Sequence, residues 1–373
     1  MSELEVKAYN LIVEDHPNAD KLNVVKLIPN GNNTDQFVHN NNTYTCIAMK
    51  GRFKTGDRAL FIPEGSILPE NLLRELDMWD EGQNKGKLAG PEGNRVKPLK
   101  LRGVMSEGVL YTPRTPGNNK VDLTEDDSNW AERLGITKWE PEIPADMSGE
   151  VVPKPEIPRY TEIENIKKGS SLLIGERVVI TEKIHGSCMI AYYEYGTLYV
   201  SSKGIAKKGL ALVNNPNNVY WRVANKLNLR DRLMTLGFPR VALFGEVLGV
   251  QDLRYGASAQ EPGFRAFDMM LFDSILDPNK KQFFVSWDKL VEFTDFMGLE
   301  RVPTLFEGEW NPNYLEGMVS GNELVTGTES HIREGLVIKP AIDRHDDSGR
   351  VIYKVISEEY LSSRSKKSAT EYN

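Results

Sequence analysis

The sequence Glu182-Lys183-Ile184-His185-Gly186 lies between two apolar stretches that both have the composition of β-strands. Lys183 is therefore expected at a strand end, and Gly186 permits a tight backbone close to a ligand because glycine has no Cβ. By itself this short motif is a weak signal. A lysine next to a hairpin turn is usually a solvated charge, so its meaning depends on the residues around it.

The second half of the chain is predicted to be α+β with antiparallel sheet. Apolar runs bounded by polar turns predict strands, and Ser286 is a suitable N-cap for a helix that reaches Met297 and stops at Gly298. The predicted strands are residues 177–181, 189–193, 198–202, 241–244, 264–272, 335–339 and 351–356, the last two joined by a polar turn through 347–349.

The first half has shorter apolar runs, and their spacing predicts a small closed or nearly closed β-barrel. These runs are residues 8–13, 22–28, 44–48, 58–62 and 108–111, with a long exposed hairpin loop at 30–42 and a partly helical segment at 71–84. Prolines 141, 144, 153, 155 and 158 cannot feed a sheet or a helix interior, so they indicate a domain boundary. We therefore expect a first domain at 1–140, a proline-rich linker at 141–157 and a second domain at 158–373.

Composition excludes several classes of protein. The chain has 373 residues, of which 40% are hydrophobic and 27% charged, and these values argue against disorder, collagen and coiled coil. The net charge of −7 means that any nucleic-acid contact must come from local basic patches. Cys46 and Cys188 are too few for a disulfide framework or a cysteine-rich zinc site. Because no targeting pattern or long apolar run is found, a cytoplasmic protein without a membrane partner is expected.

The Lys183 motif is followed by further short motifs in a fixed order. These motifs are Ser201-Ser202-Lys203-Gly204, Leu243-Phe244-Gly245-Glu246, Arg265-Ala266-Phe267-Asp268, Glu334-Gly335-Leu336-Val337-Ile338-Lys339 and Tyr353-Lys354. Together with the Lys183 motif, this series resembles the covalent nucleotidyltransferases, the superfamily of ATP-dependent ligases and mRNA capping enzymes, over residues from Tyr160 to about Leu361.

Within the superfamily, the motifs around Lys183 and Glu334 look most like those of RNA ligases. Two segments of the first half are His16-Pro17-Asn18-Ala19-Asp20-Lys21-Leu22 and Lys100-Leu101-Arg102-Gly103-Val104-Met105-Ser106-Glu107-Gly108. They make the first half similar to an OB-fold tRNA-binding domain, and an OB module ahead of the catalytic module is similar to the RNA ligases of the Deinococcus and Naegleria type. The resemblance implies an N-terminal OB-fold β-barrel followed by an antiparallel-sheet nucleotidyltransferase domain of the ATP-grasp-like ligase adenylation type.

The resemblance implies that Lys183 is the nucleophile that takes AMP from ATP. It must attack as a neutral amine, and at a reference pKa of about 10.4 only about one lysine in a thousand is neutral near neutral pH, a handicap of roughly 4 kcal/mol. Neighbouring cations, a divalent metal and partial burial all disfavour the ammonium form. Lys339, Lys354 and a metal at nearby carboxylates are the candidates for this effect.

The resemblance also assigns the remaining site residues. Glu246 and Glu334 are expected to hold Mg²⁺ or Mn²⁺, although ordinary salt bridges are the alternative. Phe267 is expected to stack on adenine or to belong to the core, while Glu182 helps to read the adenine edge. The implied nucleotide-binding set is Glu182, Ile184, His185, Gly186, Lys203, Glu246, Phe267, Glu334, Lys339 and Lys354.

Four positions depart from the pattern of the superfamily. Lys203 stands where arginine is frequent, and an ammonium does not reproduce a bidentate guanidinium. Ile352 stands where a second lysine often accompanies Lys354, so a phosphate-neutralising charge is missing there unless Lys339 compensates. His185 replaces an aspartate of many relatives, and Cys188 stands near the place of an asparagine in some RNA ligases.

The expected activity is an ATP-dependent RNA ligase, working as a monomer on RNA with 3′-hydroxyl and 5′-phosphate ends, such as nicks in a duplex. Two alternatives remain open: a DNA ligase or capping-type transferase, and a non-catalytic OB-fold RNA-binding protein with a degenerate site. Three small basic groups are candidate RNA contacts, although each is more often a solvated face. They are Lys97, Lys100 and Arg102; Lys203, Lys207 and Lys208; and Arg364, Lys366 and Lys367.

Overall fold

The computed structural model describes residues 4–29, 43–115, 117, 119–123, 126, 128–140, 147–272, 282–315 and 317–363. These residues form two compact units. The N-terminal unit draws on Ser2–Pro141, Asn165–Ser170 and Glu358–Asn373, and the C-terminal unit on Glu142–Glu164 and Ser171–Ser357. Two segments of the predicted second domain therefore fall in the N-terminal unit. The predicted loop at 30–42 lies outside the described residues.

The N-terminal unit consists mainly of short strands. Its longer strands confirm the five that the sequence predicts at 8–13, 22–28, 44–48, 58–62 and 108–111. The elements are β1 Lys7–Asp15, β2 Leu22–Ile28, β3 Tyr44–Met49, β4 Arg58–Pro63, β5 Ser66–Ile67, helix α1 Glu70–Glu75, β6 Trp79–Asp80, β7 Lys85–Gly86, β8 Leu99–Leu101, β9 Val104–Ser106, β10 Gly108–Tyr111, β11 Thr137–Lys138 and a 3₁₀ turn at Ile166–Lys168.

The main sheet of this unit nearly closes on itself. Its strand order is β10-β4-β1-β2-β3, with antiparallel neighbours. The two edges also meet, because the Glu107 N–H donates to the Thr45 carbonyl over 2.8 Å. Side chains at alternate positions, such as Leu11, Val25 and Phe61, fill the enclosed face. The period-two pattern of the sequence therefore produces the nearly closed barrel that was predicted.

The C-terminal unit is also rich in sheet and has few helices. Its strands are β12 Val151–Pro153, β13 Glu164–Asn165 at the unit boundary, β14 Arg177–Lys183, β15 Ser187–Glu194, β16 Thr197–Ser202, β17 Leu210–Leu212, β18 Arg240–Leu248, β19 Gly263–Phe272, β20 Gln282–Phe284, β21 Thr304–Glu309, β22 Gly335–Pro340, β23 His345–Asp346, β24 Gly349–Arg350 and β25 Tyr353–Ile356. Its helices are α2 Lys203–Lys207, α3 Val219–Lys226, α4 Leu229–Met234 and α5 Trp287–Met297, with a 3₁₀ turn at Pro312–Leu315.

Two antiparallel sheets organise this unit, and the Lys183 motif connects them. One sheet has the order β12-β17-β16-β15-β18-β19-β20, and the longer strands of the other have the order β25-β22-β14-β21. β14 ends at Lys183 in the second sheet, and β15 begins at Ser187 in the first. The predicted strand end at Lys183 is thus confirmed, and residues 184–186 form the crossing between the sheets.

The predicted helix is confirmed together with its caps. The Ser286 hydroxyl accepts a hydrogen bond from the Lys289 N–H, and Gly298 ends the helix in the left-handed conformation, at φ 63°. The predicted strand at 351–356 is wrong at its start, because β25 begins only at Tyr353. Pairing with β22 stops at Ile338, two residues before Pro340, which has no N–H to donate.

Candidate active site

A pocket in the C-terminal unit collects most of the predicted site residues. It lies where β14 ends, and its walls come from both sheets. Tyr160, Cys188 and Ile352 also line it. The predicted residues that line it are Glu182, Lys183, Ile184, Lys203, Glu246, Phe267 and Lys339.

Lys183 and Glu334 form an ion pair beside this pocket. β14 and β22 pair with Lys183 opposite Gly335, so the register brings Glu334 next to the lysine. The Lys183 ammonium donates to Glu334 Oε1 over 2.9 Å, and His185 Nδ1 lies 3.4 Å from Glu334 Oε2. Burial alone would raise the pKa of Glu334, but the Lys183 charge and the His185 contact hold it at about 2. Glu334 is therefore an anion at neutral pH.

Gly186 is required by the close approach of β18. The Gly186 N–H donates to Glu246 Oε1 over 3.1 Å. A Cβ at this position would lie 2.2 Å from the Val247 carbonyl oxygen, well inside van der Waals contact. β18 can therefore pass this close to the crossing loop only because residue 186 has no side chain.

Glu246 is a carboxylate that still lacks a strong counter-charge. Burial raises its pKa to about 8, and the Lys183 charge only partly opposes this shift. A divalent cation would favour the ionised form, and oxygen ligands suit Mg²⁺ or Mn²⁺. Within the described ranges, no group of three or more His, Cys, Asp or Glu side chains is arranged to hold a metal. Glu246 and Glu334 therefore fit a cation that keeps several of its water ligands.

Glu182 is buried in the pocket wall with one oxygen in use. The carboxylate is 1% exposed, and its Oε2 accepts the Leu324 N–H over 2.7 Å. Its Oε1 is buried and has no hydrogen-bond partner among the described residues. Burial raises the pKa of Glu182 to about 7. A buried acceptor of this kind is costly unless a ligand supplies the donor.

Phe267 and Lys339 rest on a buried ionic network centred on Asp268. Asp268 is fully buried and accepts from Lys339 Nζ over 2.8 Å, Arg350 Nη1 over 2.7 Å and the Tyr160 hydroxyl over 2.9 Å. The Phe267 ring lies edge-on to Tyr160 with centroids 5.1 Å apart. Phe267 thus both lines the pocket and packs on the core, so the two readings of this residue are compatible.

Lys203 and Lys354 supply further positive charge near Lys183. Lys203 begins α2 after the Ser202 N-cap and donates to the Thr161 carbonyl and the Glu162 carboxylate, both over 3.0 Å. Lys354 lies opposite Val337 in the sheet. Burial lowers the pKa of Lys354, and the Lys183 charge lowers it further, so the two lysines are close in space.

Several residues that organise the site have no role in the sequence-based prediction. Tyr160, Asp268, Arg350, Tyr255 and Leu324 all hold or support pocket residues; for example, the Tyr255 hydroxyl accepts the His185 N–H over 2.9 Å. The position of Asp268 in the sequence could have indicated its role. An aspartate within an apolar strand is expensive to bury unless cations pair with it.

Asp268→Asn is expected to lower the free energy of unfolding by about 3–5 kcal/mol, because the change leaves Lys339 buried without its paired anion and leaves Arg350 with Asp343 as its remaining carboxylate partner. Burial would raise the pKa of Asp268, but Arg350 and Lys339 hold it at about 2. The pKa of Asp268 in the folded protein thus lies below its value of about 3.9 in the unfolded chain. The stabilisation that the ionised Asp268 provides is therefore fully present above about pH 3.9 and is lost as the pH falls towards 2. Urea titrations at neutral pH and near pH 3 measure the difference.

Asp288→Asn is the matched control for this prediction. Asp288 pairs with Arg177 on the surface, with both side chains well exposed, so its loss should cost less than about 1 kcal/mol. Equal losses in the two variants, or a loss for Asp268→Asn that does not shrink in acid, would contradict the role given to the Asp268 network.

In the N-terminal unit, the predicted His16 motif supports a basic hairpin. The Asn18 N–H donates to His16 Nδ1 over 3.0 Å, so the other ring nitrogen donates to the Leu101 carbonyl over 3.1 Å. Lys100 and Arg102 are exposed on the β8–β9 hairpin, which these contacts hold in place. Lys97 lines a separate pocket with Arg95 and Trp139. The predicted group Arg364, Lys366 and Lys367 lies outside the described residues.

No helix in the described ranges is long and apolar enough to cross a membrane.

A search of curated proteins gave no match. Residues 176–356 match the protein-family model described as RNA ligase. This region contains the Lys183, Glu246, Phe267, Glu334 and Lys354 positions.

Solved structures of an RNA ligase from Naegleria gruberi have the same fold. A form with AMP and Mn is 23% identical, with 95% of this chain and 97% of that chain covered at a TM-score of 0.72. A form with ATP and Mn is 22% identical, covering 97% and 99% at 0.72, and a form with PPi is 22% identical, covering 98% and 99% at 0.71. The predicted resemblance to RNA ligases is confirmed by the family-model match, and these solved structures share the fold of this chain.

Proposed function

We propose that this chain, in which residues 176–356 match the RNA ligase family, is an ATP-dependent RNA ligase that joins 3′-hydroxyl to 5′-phosphate RNA ends. The observation that carries the proposal is the setting of Lys183. Its amine lies 2.9 Å from the Glu334 carboxylate beside a pocket that Glu246 also lines. A lysine, two carboxylates and further lysines around one pocket are what nucleotidyl transfer to an amine requires.

The proposed first step is transfer of AMP to Lys183. The neutral amine attacks the α-phosphorus of ATP, a nitrogen–phosphorus bond forms, and the bond to the bridging oxygen breaks as pyrophosphate leaves. The amine proton passes to solvent. Glu334 orients the Lys183 side chain, while Lys354, Lys203 and Lys339 offset the phosphate charge.

Two further transfers complete the proposed reaction. An oxygen of the RNA 5′-phosphate attacks the adenylate phosphorus, the nitrogen–phosphorus bond breaks, and Lys183 regains its proton. The 3′-hydroxyl then attacks the activated 5′-phosphate, a phosphodiester bond forms, and AMP leaves. We propose that this occurs at nicks in duplex RNA.

ATP and a divalent cation are the proposed small partners. The related Naegleria gruberi structures contain AMP or ATP with Mn, or PPi. Here Glu246 and Glu334 would hold Mg²⁺ or Mn²⁺, directly or through water, and the cation would neutralise charge on the reacting phosphates. Ile184, His185, Gly186 and Phe267 are proposed to complete the nucleotide site.

The domain assignment follows the same proposal. We propose that residues 1–140 are an OB-fold nucleic-acid-binding domain, that 141–157 connect it, and that 158–373 are the nucleotidyltransferase domain. The exposed Lys100 and Arg102 are the candidate RNA contacts of the OB-fold domain. A monomeric, cytoplasmic enzyme is part of the proposal, which agrees with the free state of Cys46 and Cys188.

The test combines pyrophosphate release with end joining. The purified chain with ATP and Mg²⁺ or Mn²⁺ is expected to release pyrophosphate without RNA, and then to seal a nicked RNA duplex that bears a 5′-phosphate. The same nick with a 5′-hydroxyl is the control and should stay open. Sealing of DNA nicks alone would favour a DNA ligase, and labelling by GTP alone would favour a capping-type transferase. If no nucleotide gives pyrophosphate release, the remaining interpretation is a non-catalytic OB-fold RNA-binding protein.

A further inference from the structure

A closed loop at residues 321–333 lies next to the buried carboxylate of Glu182. Its ends are held together by hydrogen bonds from the Arg333 N–H to the Gly321 carbonyl and from the Glu323 N–H to the His331 carbonyl, both over 2.9 Å. Nothing in the sequence-based prediction gives this loop a role. It nevertheless supplies a contact to Glu182 in the pocket wall.

Glu323 is the centre of the loop. Its side chain is fully buried, and it accepts the Thr326 N–H over 2.9 Å, the Ser330 N–H over 3.0 Å, the Ser330 hydroxyl over 2.9 Å and the Thr326 hydroxyl. Burial would raise the pKa of Glu323, but the hydrogen bonds from Thr326 and Ser330 hold it at about 2. One buried anion therefore ties both arms of the loop together.

Leu324, the next residue, carries the contact to Glu182. Its side chain is 42% exposed, so core packing does not fix its position. Its N–H nevertheless donates to Glu182 Oε2 over 2.7 Å. Since the adjacent Glu323 is anchored by four hydrogen bonds, the Glu323 network is what directs the Leu324 N–H at the carboxylate.

This contact leaves Glu182 with one oxygen for a ligand. Oε2 is occupied, whereas Oε1 is buried without a hydrogen-bond partner in the described part of the chain, in a side chain that lines the pocket. A carboxylate oxygen accepts hydrogen bonds. The 6-amino group of adenine is a donor, whereas the 6-oxo group of guanine is an acceptor. The free oxygen therefore suits a purine with a 6-amino group.

We propose that Glu323 is a positioning residue for base selection: by holding the Leu324 N–H on Glu182 Oε2, it fixes the other carboxylate oxygen to accept the 6-amino group of ATP. This inference rests on the proposed function, because ATP is the proposed ligand. Glu323 itself does not touch the nucleotide. Its effect passes through Leu324 to Glu182.

The test compares ATP with purine riboside triphosphate, which lacks only the 6-amino group. Rates of covalent nucleotide transfer to the protein are measured over a range of nucleotide concentrations. A buried acceptor left unpaired is strongly unfavourable, so the unaltered protein is expected to prefer ATP by at least about 100-fold in kcat/KM. In Glu323→Ala, this preference should shrink at least about 10-fold, mainly through a higher KM for ATP.

Two further variants keep the test decisive. Ser330→Ala removes a single 2.9 Å hydrogen bond to Glu323 and should reduce the preference by a smaller factor; it decides the matter if Glu323→Ala does not fold. Glu329→Gln is the matched control, because Glu329 lies on the same loop, is exposed, and accepts a hydrogen bond from the Asn322 side chain over 3.2 Å. It should keep the full preference for ATP.

The outcomes separate this inference from the proposed function. Equal loss of rate with both nucleotides, at an unchanged preference, would mean that the Glu323 loop is merely structural and would overturn the inference. So would an unaltered protein that accepts both nucleotides equally well. If the unaltered protein forms no covalent adduct with either nucleotide, the proposed function itself fails.

Discussion

Lys183→Met is expected to abolish covalent labelling of the protein by ATP labelled at its α-phosphorus. A thioether has no amine, so the nitrogen–phosphorus bond cannot form. The loss should be at least about 1,000-fold, the scale on which removal of a covalent nucleophile is felt. Labelled protein is separated on a denaturing gel with Mg²⁺ or Mn²⁺ present, and pyrophosphate should reverse the label on the unaltered protein.

The fold should survive this change. Lys183 ends β14, its side chain is a quarter exposed, and Glu334 keeps its contact with His185 at 3.4 Å. Lys226→Met is the control, since Lys226 is an exposed lysine at the end of α3. This variant should be labelled by ATP to the same extent as the unaltered protein. If the Lys183→Met protein were still labelled, another residue would have to be the nucleophile, and the proposed chemistry would be refuted.

Most strands could be predicted because their signals are local. Short apolar runs bounded by turn residues are visible in the sequence at 22–28 and 108–111, and β2 and β10 occupy these residues. The caps of α5 at Ser286 and Gly298 are equally local. By contrast, α3 was missed, although Asn218 is a good N-cap whose side chain accepts the Tyr220 and Trp221 N–H groups.

The candidate active site could be predicted only through resemblance. Lys183 and Glu334 are 151 residues apart, and they meet because β14 pairs with β22 in one particular register. No local pattern specifies that register. The ordered motifs supply it indirectly, because the resemblance brings the known arrangement of the strands with it.

The supporting residues escaped prediction for a related reason. Asp268 stands inside a quoted motif, but its partners Lys339 and Arg350 lie more than 70 residues further along the chain. Glu323 stands in a polar stretch without periodicity, where a buried carboxylate is not expected. Its burial becomes visible only when Thr326 and Ser330 are seen to surround it.

Gly186→Ala is expected to damage both the fold and the reaction. The added Cβ would lie 2.2 Å from the Val247 carbonyl oxygen and 2.9 Å from Glu246 Cγ, so β18 or the crossing loop must move. Overpacking of this kind should lower the free energy of unfolding by at least about 2 kcal/mol. The shift also breaks the 3.1 Å hydrogen bond from the Gly186 N–H to Glu246, and covalent labelling should therefore fall by at least about 100-fold.

Gly149→Ala is the matched control for this substitution. At Gly149 an added Cβ meets its nearest neighbours at 3.6 Å and 3.7 Å, which is ordinary van der Waals contact. It should retain full labelling and a melting temperature close to that of the unaltered protein. Urea unfolding and labelling rates measured on both variants separate the two effects. If Gly186→Ala were as stable and as active as Gly149→Ala, the close approach of β18 to the crossing loop could not be what positions Glu246 beside Lys183.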